Sequence, residues 1–202
     1  MEIRDKILKR QDKDLSDLFK KSTISILGCG GLGSNIGMEL ARAGIGKINL
    51  FDYDTVLLSN LNRQNYFISD IGKKKVLATK DIIKRAIPYV EIETFHVFLN
   101  KDNMDKYIDG ADIFIEAFDS PESKKFIFDY FVDLSEKHLI CASGLSGLGS
   151  LEDIKIKNFG NITMVGDFKS EVSDGLYSPY LMTIASLEAL CALKIIRSEN
   201  ER

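Results

Sequence analysis

Tryptophan is absent from the 202 residues, histidine occurs twice, and proline and cysteine occur three times each. The cysteines are odd in number and form no CxxC pair. That excludes a disulfide scaffold and gives no support to a cysteine-rich zinc site. His96 and His138 carry no ligand motif and read as structural. Neither sign of charge prevails: 27 Lys and Arg stand against 30 Asp and Glu, for a net −3. A strongly basic nucleic-acid protein is therefore not expected. No apolar run approaches the ~20 residues that a bilayer span requires. The opening MEIRDKILKRQDKDLSDLFKK is charged throughout and lacks the apolar centre of a signal peptide. The expectation is a cytoplasmic protein without a membrane partner. Apolar residues at 45% and charged residues at 28% are ordinary globular usage, and the length suits one compact domain.

What is present is a set of 15 glycines, unevenly placed, among segments of clear period. Ile3, Ile7, Leu8, Leu15, Leu18 and Phe19 have partly helical spacing, which predicts an N-terminal helical arm (residues 1–22) ahead of a domain at 23–202. TISIL at 23–27 is apolar on both faces, as in a buried parallel strand. A helix at 34–43 is stopped by Gly44 and Gly46, and KINLF at 47–51 is a second strand. Residues 53–70 read as a loop with one short helical turn. There follow a helix at 73–86 ending near Pro88, a strand at 91–97, a short helix at 102–108 and a strand at 112–116. A helix at 122–134 and a short strand at 139–142 complete the alternation. That order predicts a parallel sheet covered on both faces. The end differs: strands at 153–157 and 163–165 form a hairpin, and Pro179 opens a final helix to 197. The expected class is α/β, a Rossmann-like, mostly parallel sheet with helices on both faces, ending in a β-hairpin and a helix.

Gly28, Gly30 and Gly33 form G-x-G-x-x-G between the first strand and its helix. Glycine lets the backbone turn tightly and approach an anion, and the helix start directs free N–H groups and a positive dipole end at it. Asp52, at the tip of the second strand, can accept from ribose hydroxyls. These features fit an NAD-dependent oxidoreductase and an ATP-using enzyme equally.

The residues that follow favour a triphosphate. Asn60, Asn62, Arg63 and Gln64 cluster just after the acid, and a planar guanidinium matches phosphate oxygens in bidentate fashion. Lys73, Lys74 and Lys75 open a predicted helix, where each opposes the helix dipole by about 0.3–1 kcal/mol unless a polyanion lies nearby. Lys75, expected a few residues inside that helix, is the one chosen to face the phosphates. Asp119 follows a strand end, where ligands of open parallel sheets bind, and a carboxylate there can hold Mg²⁺. Asp119 or Ser120 can equally cap the helix that Pro121 begins. A nicotinamide pocket with a proton donor has no such residues to build it.

GCGGLGS (28–34), FDYDTV (51–56), SNLNRQ (59–64), GKKKV (72–76) and EAFDS (116–120) occur in order with matching spacing. Together they resemble the ThiF/MoeB family, relatives of the ubiquitin-activating enzymes, and most of all its short ThiF-like form. The resemblance runs from about Arg10 to the final helix. It implies adenylation, with ATP and Mg²⁺, of the C-terminal carboxylate of a ThiS-like ubiquitin-fold sulfur carrier in thiamine biosynthesis. It implies an ATP site at Gly28, Gly30, Gly31, Gly33, Asp52, Asp54, Ser59, Asn60, Leu61, Asn62, Arg63, Lys75, Asp119 and Ser120, with Asp119 on Mg²⁺. It also implies a homodimer in which an N-terminal arginine serves the opposite subunit; Arg10 is the match by distance from Gly28, and Arg4 competes. The family's other substrates are a molybdopterin-type carrier, a peptide or a tRNA base. SGLSGLG (143–149) is expected to border the channel for the carrier's tail.

The sequence departs from longer relatives in its cysteines. Without CxxC pairs, no structural zinc is expected. The stretch 158–178 holds no cysteine, and Cys29, Cys141 and Cys191 read as small buried hydrophobes. The expectation is adenylation without a covalent sulfur step on this chain, with a separate protein as sulfur donor.

Overall fold

The computed structural model describes residues 2–201, the side chain of residue 172 excepted. Seven strands make one sheet: β1 (Thr23–Leu27), β2 (Lys47–Phe51), β3 (Glu91–Phe95), β4 (Ile113–Glu116), β5 (His138–Ala142), β6 (Lys155–Phe159) and β7 (Ile162–Gly166). Their order across the sheet is β3-β2-β1-β4-β5-β7-β6. All neighbours are parallel except β6 and β7. The hairpin strand next to β5 is its second, β7, so β6 forms the outer edge.

The β1 sequence explains its position. Ile24 and Ile26 enter the core on one face and Leu27 that on the other, so the strand must be covered on both sides. One face carries α3 (Gly33–Ala43), α4 (Lys75–Ala86) and α6 (Ser178–Asn200), and the other carries α5 (Pro121–Val132). The strand order reverses between β1 and β4, which opens a crevice at their carboxyl ends.

The N-terminal helix predicted as one piece is two, α1 (Ile3–Ile7) and α2 (Lys13–Lys21). The break ends at Asp12, whose side chain accepts from the Leu15 N–H and starts α2 afresh. Phe19 of α2 joins the main core, and Leu8 is buried. The helix expected at 102–108 is two 3-10 turns, Met104–Lys106 and Ile108–Gly110. The 53–70 segment holds two such turns, Leu58–Asn60 and Ile68–Asp70. The helix α4 begins at Lys75, not at Lys73. Lys73 lies outside it and pairs with Asp70 at 2.9 Å, so the dipole argument applies to the cap Lys74 and to Lys75. The helix α6 has 23 residues, and its most apolar window reaches a mean hydropathy of 1.5, long and apolar enough to cross a membrane by length and composition. Half of that window is buried, with Ile184, Ala185, Ala189 and Ala192 in the main core.

Candidate nucleotide site

The crevice is a cleft of about 650 Å³. The glycine loop forms its floor. Gly28 has φ +110°, a conformation that L side chains rarely adopt. A Cβ on Gly33 would lie 1.8 Å from the Gly28 carbonyl oxygen, so this position holds α3 against the loop rather than touching a ligand. Gly28, Gly30 and Gly31 line the cleft.

Asp52 is buried beneath the loop. Its Oδ2 accepts from the Cys29 N–H and its Oδ1 from the Asp54 N–H, both at 2.7 Å. Burial raises its pKa, and the two N–H donors and Lys75 oppose that rise. The acid therefore shapes the loop while facing the cleft. Lys75, the first residue of α4, reaches back to Asp54 with Nζ at 2.7 Å from Oδ2. Both residues line the cleft.

Arg63 also lines the cleft. Its Nη1 donates to the Ser59 carbonyl at 3.2 Å and to Asn62 Oδ1 at 2.9 Å. Asn60 Oδ1 accepts from the Leu57 N–H at 2.9 Å, and Leu61 packs against Val56, Tyr66, Ala78 and Ile82. Asn62 Nδ2 donates to the Leu176 carbonyl. Thus Asn60 and Asn62 bond within and beside the segment, the Ser59 carbonyl and Asn62 hold Arg63, and of SNLNRQ Arg63 and Gln64 line the cleft. Gln64 is buried and its Oε1 has no hydrogen-bond partner among the described residues. The sequence brought Gln64 into the cluster, and folding places it, with an unpaired buried acceptor, on the cleft lining.

On the far wall, Ser120 caps α5 by accepting from the Ser123 N–H, while Asp119 stays exposed in the cleft. Of the two candidates for the cap, Ser120 takes it and Asp119 does not. Lys124, which had no role from sequence, lines the cleft with Nζ at 2.9 Å from Glu116 Oε2. Glu116 also accepts from the Phe118 N–H at 2.6 Å, which fixes the strand-end turn that presents Asp119. Burial raises the Glu116 pKa against the pull of Lys124. The lysine follows the Ser120 cap by four residues, about one turn of α5, a spacing that could have flagged it.

The 143–149 loop divides. Ser143, Gly144, Leu145 and Ser146 border the cleft. Gly147 instead donates its N–H to the Gly175 carbonyl at 2.7 Å. Cys29, Cys141 and Cys191 are all buried, and burial raises each thiol, Cys141 to about 12. None is poised as a thiolate. Arg10 is exposed and outside the cleft lining. Arg4 is buried in its own chain, with Nη2 at 2.5 Å from the Ser16 carbonyl and 3.3 Å from the Gly44 carbonyl.

A glycine loop at a helix start, an acid at the next strand tip and cationic groups at a sheet's switch point define a Rossmann-like nucleotide-binding domain. Within that class, the chain belongs to the ThiF family, whose sequence pattern matches residues 4–202. It is similar to adenylyltransferase and sulfurtransferase UBA4 of Scheffersomyces stipitis, 37% identical over 143 residues, which are 70% of this chain and 32% of that protein. Adenylyltransferase and sulfurtransferase MOCS3 of Aedes aegypti is 35% identical over 134 residues, 66% of this chain and 30% of that protein. The chain spans about a third of the length of these curated relatives. Among solved structures, E. coli tRNA N6-threonylcarbamoyladenosine dehydratase, TcdA, in complex with ATP gives a TM-score of 0.87 at 23% identity, covering 98% of this chain and 94% of that one. E. coli MccB with ATP gives 0.73 at 23% identity, covering 90% and 57%. At these identities the likeness is one of fold.

Proposed function

We propose that this chain is an ATP-dependent adenylyltransferase acting on the C-terminal Gly-Gly carboxylate of a small ubiquitin-fold sulfur carrier of the ThiS type, in thiamine biosynthesis. The observation that carries the reading is the convergence of Arg63, Lys75 and Asp119 on one cleft above the glycine loop. The chain's similarity to the adenylyltransferases UBA4 and MOCS3 supports the reaction class.

In this reaction a carboxylate oxygen of the carrier forms a bond to the α-phosphorus as the bond from that phosphorus to the β-phosphate's bridging oxygen breaks. Pyrophosphate leaves with the electron pair, and the product is an acyl adenylate. Catalysis of this kind is mostly positioning and neutralisation of charge. Arg63 and Lys75 supply positive charge, and free N–H groups of the glycine loop supply donors. Asp119 fits a Mg²⁺ role: it is an exposed hard-oxygen donor relieved of helix capping by Ser120. Bound there, Mg²⁺ would offset triphosphate charge. The Ser143–Ser146 wall offers backbone to an extended glycine tail. With its cysteines buried, the chain leaves sulfur delivery to a separate donor protein. A homodimer, with exposed Arg10 serving the cleft of a second copy, and a cytoplasmic location complete the proposal.

The test is ATP–pyrophosphate exchange with a ThiS-like carrier, with the same carrier lacking its terminal Gly-Gly, and with a molybdopterin-type carrier. Exchange should need the Gly-Gly and collapse in Asp119→Ala. Exchange with the molybdopterin-type carrier alone would reassign the substrate. Saturable NADH binding without ATP binding would overturn the reaction class.

A further inference from the structure

We propose that Tyr66 is a positioning residue that sets the direction of the Gly30 N–H in the phosphate loop. The inference rests on the nucleotide reading above and adds a part of the site that lies beneath the cleft. Tyr66 is buried, and its hydroxyl donates to the Cys29 carbonyl at 2.6 Å. The same hydroxyl lies 3.0 Å from Thr79 Oγ1. Its single proton is committed to the carbonyl, so Thr79 donates to it, and the chain runs Thr79 to Tyr66 to Cys29.

The Cys29 backbone is thereby held from both sides. Its N–H is taken by Asp52 and its C=O by Tyr66. A trans peptide fixes its N–H opposite its C=O, and the described residues contain no cis bond. With the Cys29 carbonyl tied down to Tyr66, the N–H of Gly30 points the other way. Gly30 lines the cleft, and no acceptor among the described residues takes its N–H. It is available to a phosphate oxygen. Without the tether, the peptide between Cys29 and Gly30 is free to rotate and withdraw that donor.

The tether also joins the parts of the site. Tyr66 ends the segment that carries Arg63 and Gln64, and Thr79 lies one helical turn beyond Lys75 on the same face of α4. One buried hydroxyl therefore holds the glycine loop, the arginine segment and the lysine helix in common register. Removing it should weaken phosphate recognition while leaving the nucleoside alone.

The experiment compares ATP and adenosine binding to the full chain by competition against a fluorescent adenine nucleotide, for wild type, Tyr66→Phe, Thr79→Val and Thr79→Ser. Loss of one buried hydrogen bond at the loop predicts about tenfold weaker ATP binding in Tyr66→Phe, with adenosine unchanged within about twofold. Thr79→Val should weaken ATP binding in the same direction and less, and Thr79→Ser should keep wild-type affinity. ATP binding in Tyr66→Phe within twofold of wild type, or equal losses for ATP and adenosine, would overturn the proposal. If Tyr66→Phe does not fold, the Thr79 pair decides: equal ATP affinity in Val and Ser variants refutes it. Failure of the wild type to bind ATP at all would instead refute the function proposed above.

Discussion

Replacing Lys75 by Met separates the two uses to which this side chain can be put. Its ammonium pairs with Asp54 at 2.7 Å, but the Asp54 side chain is 43% exposed. The Lys75 side chain is itself buried, but its removal leaves behind only this water-exposed carboxylate, so the cost to stability is small, about 0–1 kcal/mol. Methionine keeps the unbranched stem and a good helix propensity at the start of α4. The melting temperature should therefore move by no more than about 4 °C, the shift that about 1 kcal/mol causes in a domain of this size. The catalytic cost is set by a different interaction. A unit charge about 4 Å from a phosphate charge, at an effective dielectric of about 20, is worth up to about 4 kcal/mol. Each ~1.4 kcal/mol is a factor of ten, so a loss of about 100- to 1,000-fold in exchange rate is expected. Pyrophosphate exchange with a Gly-Gly carrier and thermal denaturation, run on the same preparation, give both numbers. Exchange retained within a few-fold would refute the phosphate role. A melting-temperature drop beyond about 10 °C would show that the pair with Asp54 holds the fold instead.

Gly33→Ala places a Cβ 1.8 Å from the Gly28 carbonyl, so the loop must move; destabilisation of about 1–3 kcal/mol in urea, with weaker ATP binding by calorimetry, is expected. Arg4→Met leaves the Ser16 and Gly44 carbonyls without their donor and should cost about 1–3 kcal/mol, whereas exposed Arg10→Ala should leave the urea midpoint unchanged and lower exchange. Equal midpoints for the two variants would contradict these assignments. Glu188 is fully buried on α6 with both carboxylate oxygens unpartnered among the described residues, and burial holds its pKa well above the usual carboxylate range. The folded state then keeps a proton that the unfolded chain releases above about pH 4.3, so this group makes stability fall as pH rises from there toward the folded pKa. Glu188→Gln should flatten the stability–pH curve by up to about 1.4 kcal/mol per unit across that window, while raised Asp52 and Glu116 keep a residual slope of the same sign. Parallel curves would refute the assignment.

The local periods and the polar residues that chemistry requires were legible before folding was considered. Apolar strands with both faces hydrophobic, alternating with helices, dictated a parallel sheet. The pattern from Gly28 to Gly33 dictated a strand-turn-helix, because other residues cannot pass so close to a neighbouring carbonyl. Arg63, Lys75 and Asp119 were legible as residues that a triphosphate needs. Tertiary structure decided which of the flanking residues touch the cleft. The Ser59 carbonyl, Asn60 and Asn62 make hydrogen bonds in and beside their own segment, and no local pattern predicts which of these neighbours reach the cleft lining. It likewise decided that Arg4 is consumed in its own chain, that Lys75 begins its helix, and that β7 rather than β6 enters the sheet beside β5. Each depends on partners distant in sequence: Gly44 for Arg4, Asp54 for Lys75 and β5 for β7. The Tyr66 tether is of the same kind. A tyrosine in a polar loop carries no signal until folding brings it beneath the glycine loop.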